Sequence, residues 1–185
     1  SGVMALPRIY TLLPDGDLGA APAPELAALR GAHTGLGPQS LAPGGGNPLA
    51  DLRGDCLELD LTFAPGDAAR VVLAVRRSPG GEEETRLVYD CATARLRVDR
   101  ARATRDPERD TLSPEAPCPP TAVGTVRLRV FLDRSVLEVF ANERVCIGER
   151  IYPSRPDSLG LALSAEGGRA DLLALDCWEM GSIWD

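Results

Sequence analysis

The stretch CLELDLTF, Cys56–Phe63, decides the fold because its side chains alternate strictly between apolar and polar. Four apolar residues share one face of an extended chain and three polar residues share the other: Leu57, Leu59, Leu61 and Phe63 against Glu58, Asp60 and Thr62. An alternation with a period of two is typical of a half-buried β-strand. The stretch therefore predicts a strand whose leucine face lies in a core.

Strand-like segments continue along the rest of the chain. They are RVVLAVRR, RLVYD, RLRVD, VRLRVFL, VLEVFA, RVCIGERIY, LGLALSAE and ADLLALDCWEM. Turn residues separate most of them, as in SPGGEEE, DRS, ANE, YPSRPDS and EGG. Many short strands with frequent turns indicate a β-sandwich or a barrel. We expect an all-β, two-sheet antiparallel sandwich of the jelly-roll or concanavalin-like type, with almost no helix.

The one helix candidate is PELAALRG, Pro24–Gly31, in which Pro24 suits a first turn and Gly31 suits a C-terminal cap. Two segments rich in Gly, Pro or charged residues, Gly35–Pro48 and Arg102–Pro120, are expected to be surface loops. The GGG triplet of the first loop is not followed by Gly-Lys-Ser/Thr, so it does not predict a phosphate loop.

The segment VFLDRSVLEVFAN, Val130–Asn142, predicts a β-hairpin with Asp133 and Arg134 as its two-residue turn. In that register Glu138 lies opposite Arg129, and the two form a cross-strand ion pair worth about 0.2–1 kcal/mol. The same register puts the following apolar residues on one buried face: Leu128, Val130, Leu137 and Val139. A retaining glycosidase needs two carboxylates that face each other about 5–5.5 Å apart. Nothing in this pattern places a cleft between Asp133 and Glu138, so we interpret the hairpin as scaffold.

Composition excludes several functions. The formal net charge is −7, which argues against nucleic-acid binding. All 20 basic residues are arginine, so no lysine is available for Schiff-base chemistry. No apolar run approaches the roughly 20 residues of a membrane helix, and no membrane association is expected. The first ten residues lack the basic and long apolar regions of a signal peptide.

The histidine and cysteine residues do not indicate a catalytic or metal site. His33 is the one histidine, and its Gly/Pro-rich neighbourhood predicts a solvated loop position. The five cysteines are widely spaced and form no CxxC motif: Cys56, Cys91, Cys118, Cys146 and Cys177. Four of them lie in strand-like segments and are expected to be buried free thiols, whereas Cys118 in PCPP is expected to be exposed. We predict no cofactor and no metal.

The stretch LRVFLDRSVLEVFANERVCIGERIYPSRPDS, Leu128–Ser158, resembles the C-terminal β-sandwich of glycoside hydrolase family 32, which includes invertases, levanases and inulinases. DRSVLEVFAN and RIYP are the most specific parts of the resemblance. The end of the chain, LDCWEMGSIW, is similar to the closing strand of that sandwich. The start, GVMALPRIYTLLPDGDLGAAPAPELAALRG, is similar to the segment that leaves the catalytic domain. The resemblance thus covers nearly the whole chain in order.

The resemblance implies a single β-sandwich domain over residues 1–185. Residues 1–34 would link it to a catalytic propeller and add a first strand and the short helix, and residues 35–185 would form the body. In the family the chemistry lies in a five-bladed propeller with NDPNG, RDP and EC motifs. This chain lacks NDPNG and has three DC pairs but no EC. Its single RDP, Arg105–Pro107, lies in a charged loop, so we interpret Asp106 as a chance match and predict no catalytic residue.

The function implied is that of a non-catalytic module that mainly supports the propeller. The bacterial parent enzyme, cytoplasmic or secreted, would hydrolyse terminal β-fructosyl linkages in sucrose or fructans by a retaining two-carboxylate mechanism. The chain alone is expected to be inactive. Its expected partner is the propeller, and an apolar face left without that partner would favour a homodimer.

The alternative is a free-standing fructan-binding module. Asp133, Arg134 and Glu138 would then be the substrate-binding residues, because acids and an arginine suit fructosyl hydroxyls. Such a site also uses aromatic faces, yet only 4% of the residues are aromatic. Both tryptophans, Trp178 and Trp184, lie near the C-terminus, and Trp178 is expected in the core. This scarcity favours the structural module.

Overall fold

A computed structural model describes residues 4–183 of the chain. In chain order its elements are β1 (Arg8–Leu12), β2 (Leu18–Pro22), a 3₁₀ helix (Pro24–Leu29), β3 (Arg30–Leu36), β4 (Gln39–Leu41), β5 (Cys56–Ala64), β6 (Arg70–Arg77), β7 (Thr85–Asp90), β8 (Arg95–Asp99), β9 (Glu115–Pro117), β10 (Val126–Asp133), β11 (Val136–Ala141), β12 (Val145–Arg150), β13 (Gly160–Glu166) and β14 (Ala170–Met180). No helix within residues 4–183 is long and apolar enough to cross a membrane.

Two antiparallel sheets enclose one core, which confirms the predicted sandwich. The larger has seven strands in the order β12-β11-β10-β5-β14-β3, with β4 also paired to β14. The smaller has five strands in the order β13-β6-β7-β8-β9. Strands β1 and β2 form a separate two-stranded sheet. The predicted boundary between residues 34 and 35 falls inside β3, which is a strand of the larger sheet.

The alternation in CLELDLTF builds the core as predicted. Its four apolar side chains are all at most 3% exposed and lie in the main core cluster: Leu57, Leu59, Leu61 and Phe63. The ring of Phe63 on β5 meets the ring of Tyr89 on β7 edge-on, with centroids 5.6 Å apart. Because β5 and β7 belong to different sheets, this aromatic pair joins the two layers.

The buried Tyr89 hydroxyl makes the stability of the fold sensitive to alkaline pH. Within the described residues this hydroxyl has no hydrogen-bond partner, and burial raises the pKa of Tyr89 to about 12. An unfolded tyrosine loses its proton near pH 10. Between about pH 10 and 12 the unfolded state therefore binds fewer protons than the folded state, and the free energy of unfolding falls as pH rises.

We expect the Tyr89→Phe variant to show a shallower alkaline decline than the wild type. One tyrosine contributes at most about 1.4 kcal/mol per pH unit. Urea denaturation between pH 9 and pH 12 measures the decline. Part of it will persist in the variant because burial also raises the pKa of Cys118 and of Cys177 to about 11. An identical slope in both proteins would show that the Tyr89 hydroxyl does not titrate in this range.

A short helix forms where Pro24–Gly31 predicts one, but it ends two residues earlier than predicted. Pro24–Leu29 forms a 3₁₀ helix, and its N-cap residue makes no side-chain cap hydrogen bond. From Arg30 onward the chain is the strand β3, which pairs with β14. A helix this short is marginal without tertiary support, and pairing in the sheet gives the following residues a better set of hydrogen bonds.

The two segments predicted as surface loops, Gly35–Pro48 and Arg102–Pro120, contain the short strands β4 and β9.

The prediction that Cys118 is exposed was wrong. The residue is 1% exposed although the prolines on both sides of it are exposed. Its backbone N–H donates to the carbonyl oxygen of Ala94 at 2.7 Å, which turns the thiol into the core. Cys177 is also buried, the other three cysteines are half-buried, and all five thiols are free.

The hairpin predicted over Val130–Asn142 forms, but its register differs. Asp133 pairs with Val136, so the turn consists of Arg134 and Ser135. The predicted pairing of Arg129 with Glu138 is therefore wrong. Each residue meets a partner two positions from the predicted one: Phe131 faces Glu138, and Arg129 faces Phe140. A shift of two keeps every side chain on its face, so the apolar alternation could not distinguish the two registers.

Candidate functional site

Glu138 lies on the outer face of the larger sheet, beneath the N-terminal segment. The Leu6 N–H donates to its Oε1 at 2.5 Å, and Arg8 Nη2 donates to its Oε2 at 2.6 Å. The Glu138 side chain is only 2% exposed, and the Arg8 side chain is 20% exposed. Phe131 and Phe140 form a small apolar cluster on the same face. Both carboxylate oxygens are therefore engaged within the chain, and they hold the N-terminal segment on the sheet.

A second buried carboxylate on this face belongs to Glu58, which was not singled out from the sequence. It accepts hydrogen bonds from Arg30 Nε at 2.8 Å and Nη2 at 2.7 Å, and from Arg129 Nη2 at 2.6 Å. Burial acts to raise the pKa of Glu58, but the bonds from the two arginines outweigh it and the pKa lies below its usual value. Arg129 therefore pairs with Glu58 and not with Glu138.

His33 lies on strand β3 and not in a loop as predicted. Its Nε2 is 2.7 Å from Asp176 Oδ1, and its ring stacks on Trp178 with centroids 5.0 Å apart. The Arg30 guanidinium also lies over the indole, 3.8 Å from its centroid. Trp178 is half-buried on the outer face, so the prediction that it lies in the core was wrong. Trp184 is outside the described residues.

The structure does not bring Asp133, Arg134 and Glu138 to one site. Asp133 is exposed at the end of β10, where the Cys56 thiol lies 3.7 Å from its Oδ1. Arg134 lies at the turn, is exposed, and lines a cavity. Glu138 is enclosed beneath the N-terminal segment. Substrate binding by these three residues stays a prediction.

The cavity beside Arg134 has a volume of about 580 Å³. It opens where the Arg134–Ser135 turn meets the loop after β8 and the segment after β12. Most of its lining residues carry a cation or a hydroxyl: Arg76, Thr104, Asp106, Arg109, Arg134, Ser135, Tyr152, Pro153 and Ser154.

One wall of the cavity is held by the fully buried carboxylate of Glu83. Its Oε2 accepts the Ser154 N–H at 2.8 Å, and its Oε1 accepts the Ser158 hydroxyl at 2.6 Å and the Arg155 N–H at 3.2 Å. The hydroxyl groups of Thr104 and Ser154 are 2.9 Å apart and join the two loops. This wall is therefore organised without a ligand.

The electrostatics of the cavity favour negative charge. Asp106, the aspartate of the RDP tripeptide, pairs with Arg109 at 3.2 Å, and Arg76 pairs with Asp55 at 3.0 Å. No acidic side chain within the described residues pairs with Arg134. The positive charge of Arg134 is therefore not neutralised by an ion pair, although the formal net charge of the protein is −7. Asp106 is the one carboxylate in the described lining, so the cavity lacks the two facing acids of a retaining glycosidase.

Sequence analysis missed Arg76 and Glu83 as site residues. Arg76 reads as one of two arginines that end the strand-like segment RVVLAVRR, and Glu83 as one acid in the run EEE. No local pattern distinguishes them from their neighbours. Only the fold brings these two residues beside the RIYP segment. That segment could be recognised from the sequence because it resembles a known family.

Comparison with known proteins gives one consistent family. The model of the family described as "Glycosyl hydrolases family 32 C terminal" matches residues 25–179. A levanase from Bacillus subtilis is 34% identical over 169 residues, which cover 88% of this chain and 24% of that protein. An extracellular exo-inulinase from Aspergillus awamori is 29% identical over 136 residues, which cover 71% of this chain and 25% of that enzyme. The chain thus spans about a quarter of the length of these relatives.

Solved structures show the same fold. The exo-inulinase from Aspergillus awamori matches with a TM-score of 0.81 at 22% identity, over 97% of this chain and 36% of the other. The fructan 1-exohydrolase IIa from Cichorium intybus matches with a TM-score of 0.84 at 19% identity, over 96% of this chain and 41% of the other.

Proposed function

The chain belongs to the glycosyl hydrolase family 32 C-terminal family, and from that membership we propose that it is the non-catalytic sandwich of a β-fructosidase. In this proposal it packs on a catalytic β-propeller and stabilises it, while the propeller hydrolyses terminal β-fructosyl linkages of sucrose or fructans. The segment before β3 makes the link to the propeller, and the chain from β3 onward forms the body. The relatives named levanase and exo-inulinase support fructans as the substrate class.

The β1–β2 hairpin carries the proposal. It belongs to neither sheet of the sandwich, and an isolated two-stranded hairpin is marginally stable in water. Three large apolar side chains on one face of it are exposed: Tyr10 at 57%, Leu12 at 75% and Leu18 at 60%. Ile9, which is 48% exposed, lies on the other face. An exposed apolar patch of this kind marks an interface. We assign it to the propeller.

The sandwich holds this hairpin in place for docking. The Ala20 N–H donates to the Glu143 carbonyl at 2.8 Å. Arg144 pairs with Asp15 at 2.5 Å and with Asp17 at 3.4 Å. Near the start of β1, Glu138 also binds the Leu6 N–H and the Arg8 side chain, as described above. The hairpin thus has a defined orientation relative to the sandwich, which suits a surface that must fit a rigid partner.

A chimaera tests this proposal. This chain would replace the region of the Bacillus subtilis levanase that it matches, about a quarter of that enzyme, and fructose release from levan and the melting temperature would be measured. We expect an active, folded chimaera. The double change Leu12→Asp and Leu18→Asp should lower the stability of the chimaera by about 3–6 kcal/mol, since burying each leucine contributes about 1.5–3 kcal/mol.

The matched control changes Leu112 and Val123 to aspartate. These side chains are 75% and 82% exposed, and neither is on the hairpin. We expect this chimaera to melt like the unmodified one. Equal melting temperatures for the hairpin variant and the unmodified chimaera would contradict docking through the hairpin.

Without a propeller, the same apolar hairpin should mediate self-association. We expect the isolated chain to form a homodimer at high concentration in sedimentation, and the Leu12→Asp, Leu18→Asp variant to be a monomer. The isolated chain should release no fructose from sucrose, inulin or levan. Steady fructose release that is abolished by Asp106→Asn would contradict the non-catalytic assignment.

A further inference from the structure

We propose that the cavity beside the Arg134–Ser135 turn binds the phosphoryl group of a small molecule, either inorganic phosphate or a sugar phosphate. This site is separate from the β1–β2 hairpin, so its test is independent of docking on a propeller. Arginine forks bind phosphoryl oxygens through short, charge-assisted hydrogen bonds.

Arg76 supplies the buried half of the site. Gly160 faces Arg77 and Ala162 faces Ala74, so a β-bulge places Arg76 outside the regular ladder, with a φ of 49°. Bulges re-aim side chains and are frequent beside functional sites. Here the bulge makes Arg76 part of the cavity lining while its side chain is only 9% exposed.

Two buried N–H groups of Arg76 make no hydrogen bond within the described residues, although the guanidinium is ion-paired with Asp55. Its Nη1 lies 3.0 Å from Asp55 Oδ2, but neither Nη1 nor Nε makes a hydrogen bond to any described residue. A buried donor without an acceptor is costly, and native proteins avoid it. Binding needs the guanidinium to turn these N–H groups toward the cavity and away from Asp55. An oxyanion would then provide the missing acceptor.

Arg134 supplies the exposed half of the site. It occupies a two-residue turn with a φ of 51°, a conformation that favours glycine or asparagine. An arginine at such a position is strained, and strained residues cluster at ligand sites. Its guanidinium has no acidic partner within residues 4–183. It is therefore available to an anion, and the neighbouring Ser135 adds a hydroxyl to the cavity wall.

The ring of Tyr152 favours an anion over a neutral sugar. Sugar rings bind by stacking on an open aromatic face, but here the guanidinium groups of Arg109 and Arg150 lie 4.8 Å and 5.1 Å from the ring centroid. Arg109 is paired with Asp106, so it is mainly Arg150 that adds positive potential next to the cavity. The volume of about 580 Å³ falls within the range of 300–1,000 Å³ of small-molecule sites. A small phosphorylated ligand fits both the charge and the size.

Calorimetric titration of the full chain in low-salt, phosphate-free buffer tests the site with inorganic phosphate, fructose 6-phosphate and fructose. We expect the phosphorylated probes to bind and fructose not to bind. Tighter binding of fructose 6-phosphate than of phosphate would identify a sugar phosphate as the ligand, and equal binding would identify phosphate. The Arg134→Gly variant should lose at least tenfold in affinity while its melting temperature stays unchanged or rises, because glycine suits the turn.

The matched control is Arg169→Gly, which removes an exposed arginine near the other end of β6, where the Arg169 N–H binds Asp67. This variant should bind phosphate like the wild type. Arg76→Gln should also weaken binding, provided that its circular dichroism matches the wild type. The proposal is overturned by any one of three results: no binding of either phosphorylated probe, equal loss in the Arg134→Gly and Arg169→Gly variants, or binding of fructose as tight as that of fructose 6-phosphate.

Discussion

Replacing Glu138 by glutamine is expected to lower the free energy of unfolding by about 2–4 kcal/mol. The carboxylate is 98% enclosed and makes two short hydrogen bonds, to the Leu6 N–H and to Arg8. Removing one member of a buried ion pair costs about 3–5 kcal/mol, and the partial exposure of Arg8 reduces that cost. Chemical denaturation measures the loss. Trypsin should also cut after Arg8 faster in the variant, because the N-terminal segment loses its attachment.

The control for this prediction is Glu115→Gln. Glu115 pairs with Arg95 at a similar distance, 2.8 Å, but the two side chains are 47% and 38% exposed. Exposed pairs contribute about 0–1 kcal/mol, so we expect little change. The predicted cross-strand pair of Glu138 with Arg129 would have behaved like this control. Equal, small losses for the two variants would show that the N-terminal segment does not enclose Glu138 in solution.

Phe63→Ala is expected to cost about 3–5 kcal/mol, the usual range for a buried phenylalanine that leaves a cavity. Phe63 is 0% exposed and meets Tyr89 across the two sheets. Its loss would remove both its own buried area and the edge-to-face contact that joins the layers. Urea denaturation at neutral pH measures the effect, and the variant should keep its β-rich circular dichroism below the transition.

Tyr89→Phe is the matched control on the other side of the same contact. It keeps the ring and removes a hydroxyl that has no partner within the described residues, so we expect a neutral or slightly stabilising effect at pH 7. A loss of more than about 2 kcal/mol would mean that the hydroxyl makes a bond that the structure does not show. A small effect of Phe63→Ala would argue that the sheets do not pack through this pair.

The stable sandwich and the cavity occupy different parts of the chain. Most core residues lie on strands, whereas most of the cavity lining comes from loops, turns and one bulge. Loops on a rigid scaffold commonly carry binding residues because they are free of the packing constraints of the core. The buried Glu83 lets this loop region keep its shape, since it satisfies the backbone of Ser154 and Arg155.

The sequence alone determined the layers of the fold. The period-two alternation of Leu57, Leu59 and Leu61 assigns each side chain to a face, because successive residues of a strand point to opposite sides. The same rule correctly placed Val130 and Val139 on the core face. The family resemblance of the hairpin and RIYP segments likewise depends only on residue order, and the family match agrees with it.

Only the tertiary structure decided which charges meet and where a ligand fits. Arg8 and Glu138 are 130 positions apart, and the Glu83 to Ser158 bond spans 75, so no local pattern predicts either contact. The hairpin register was also decided by its surroundings, because a shift of two residues leaves the apolar face unchanged. Periodicity carries information about faces over a few residues, whereas partners across the sheet are selected by the packing of the whole chain.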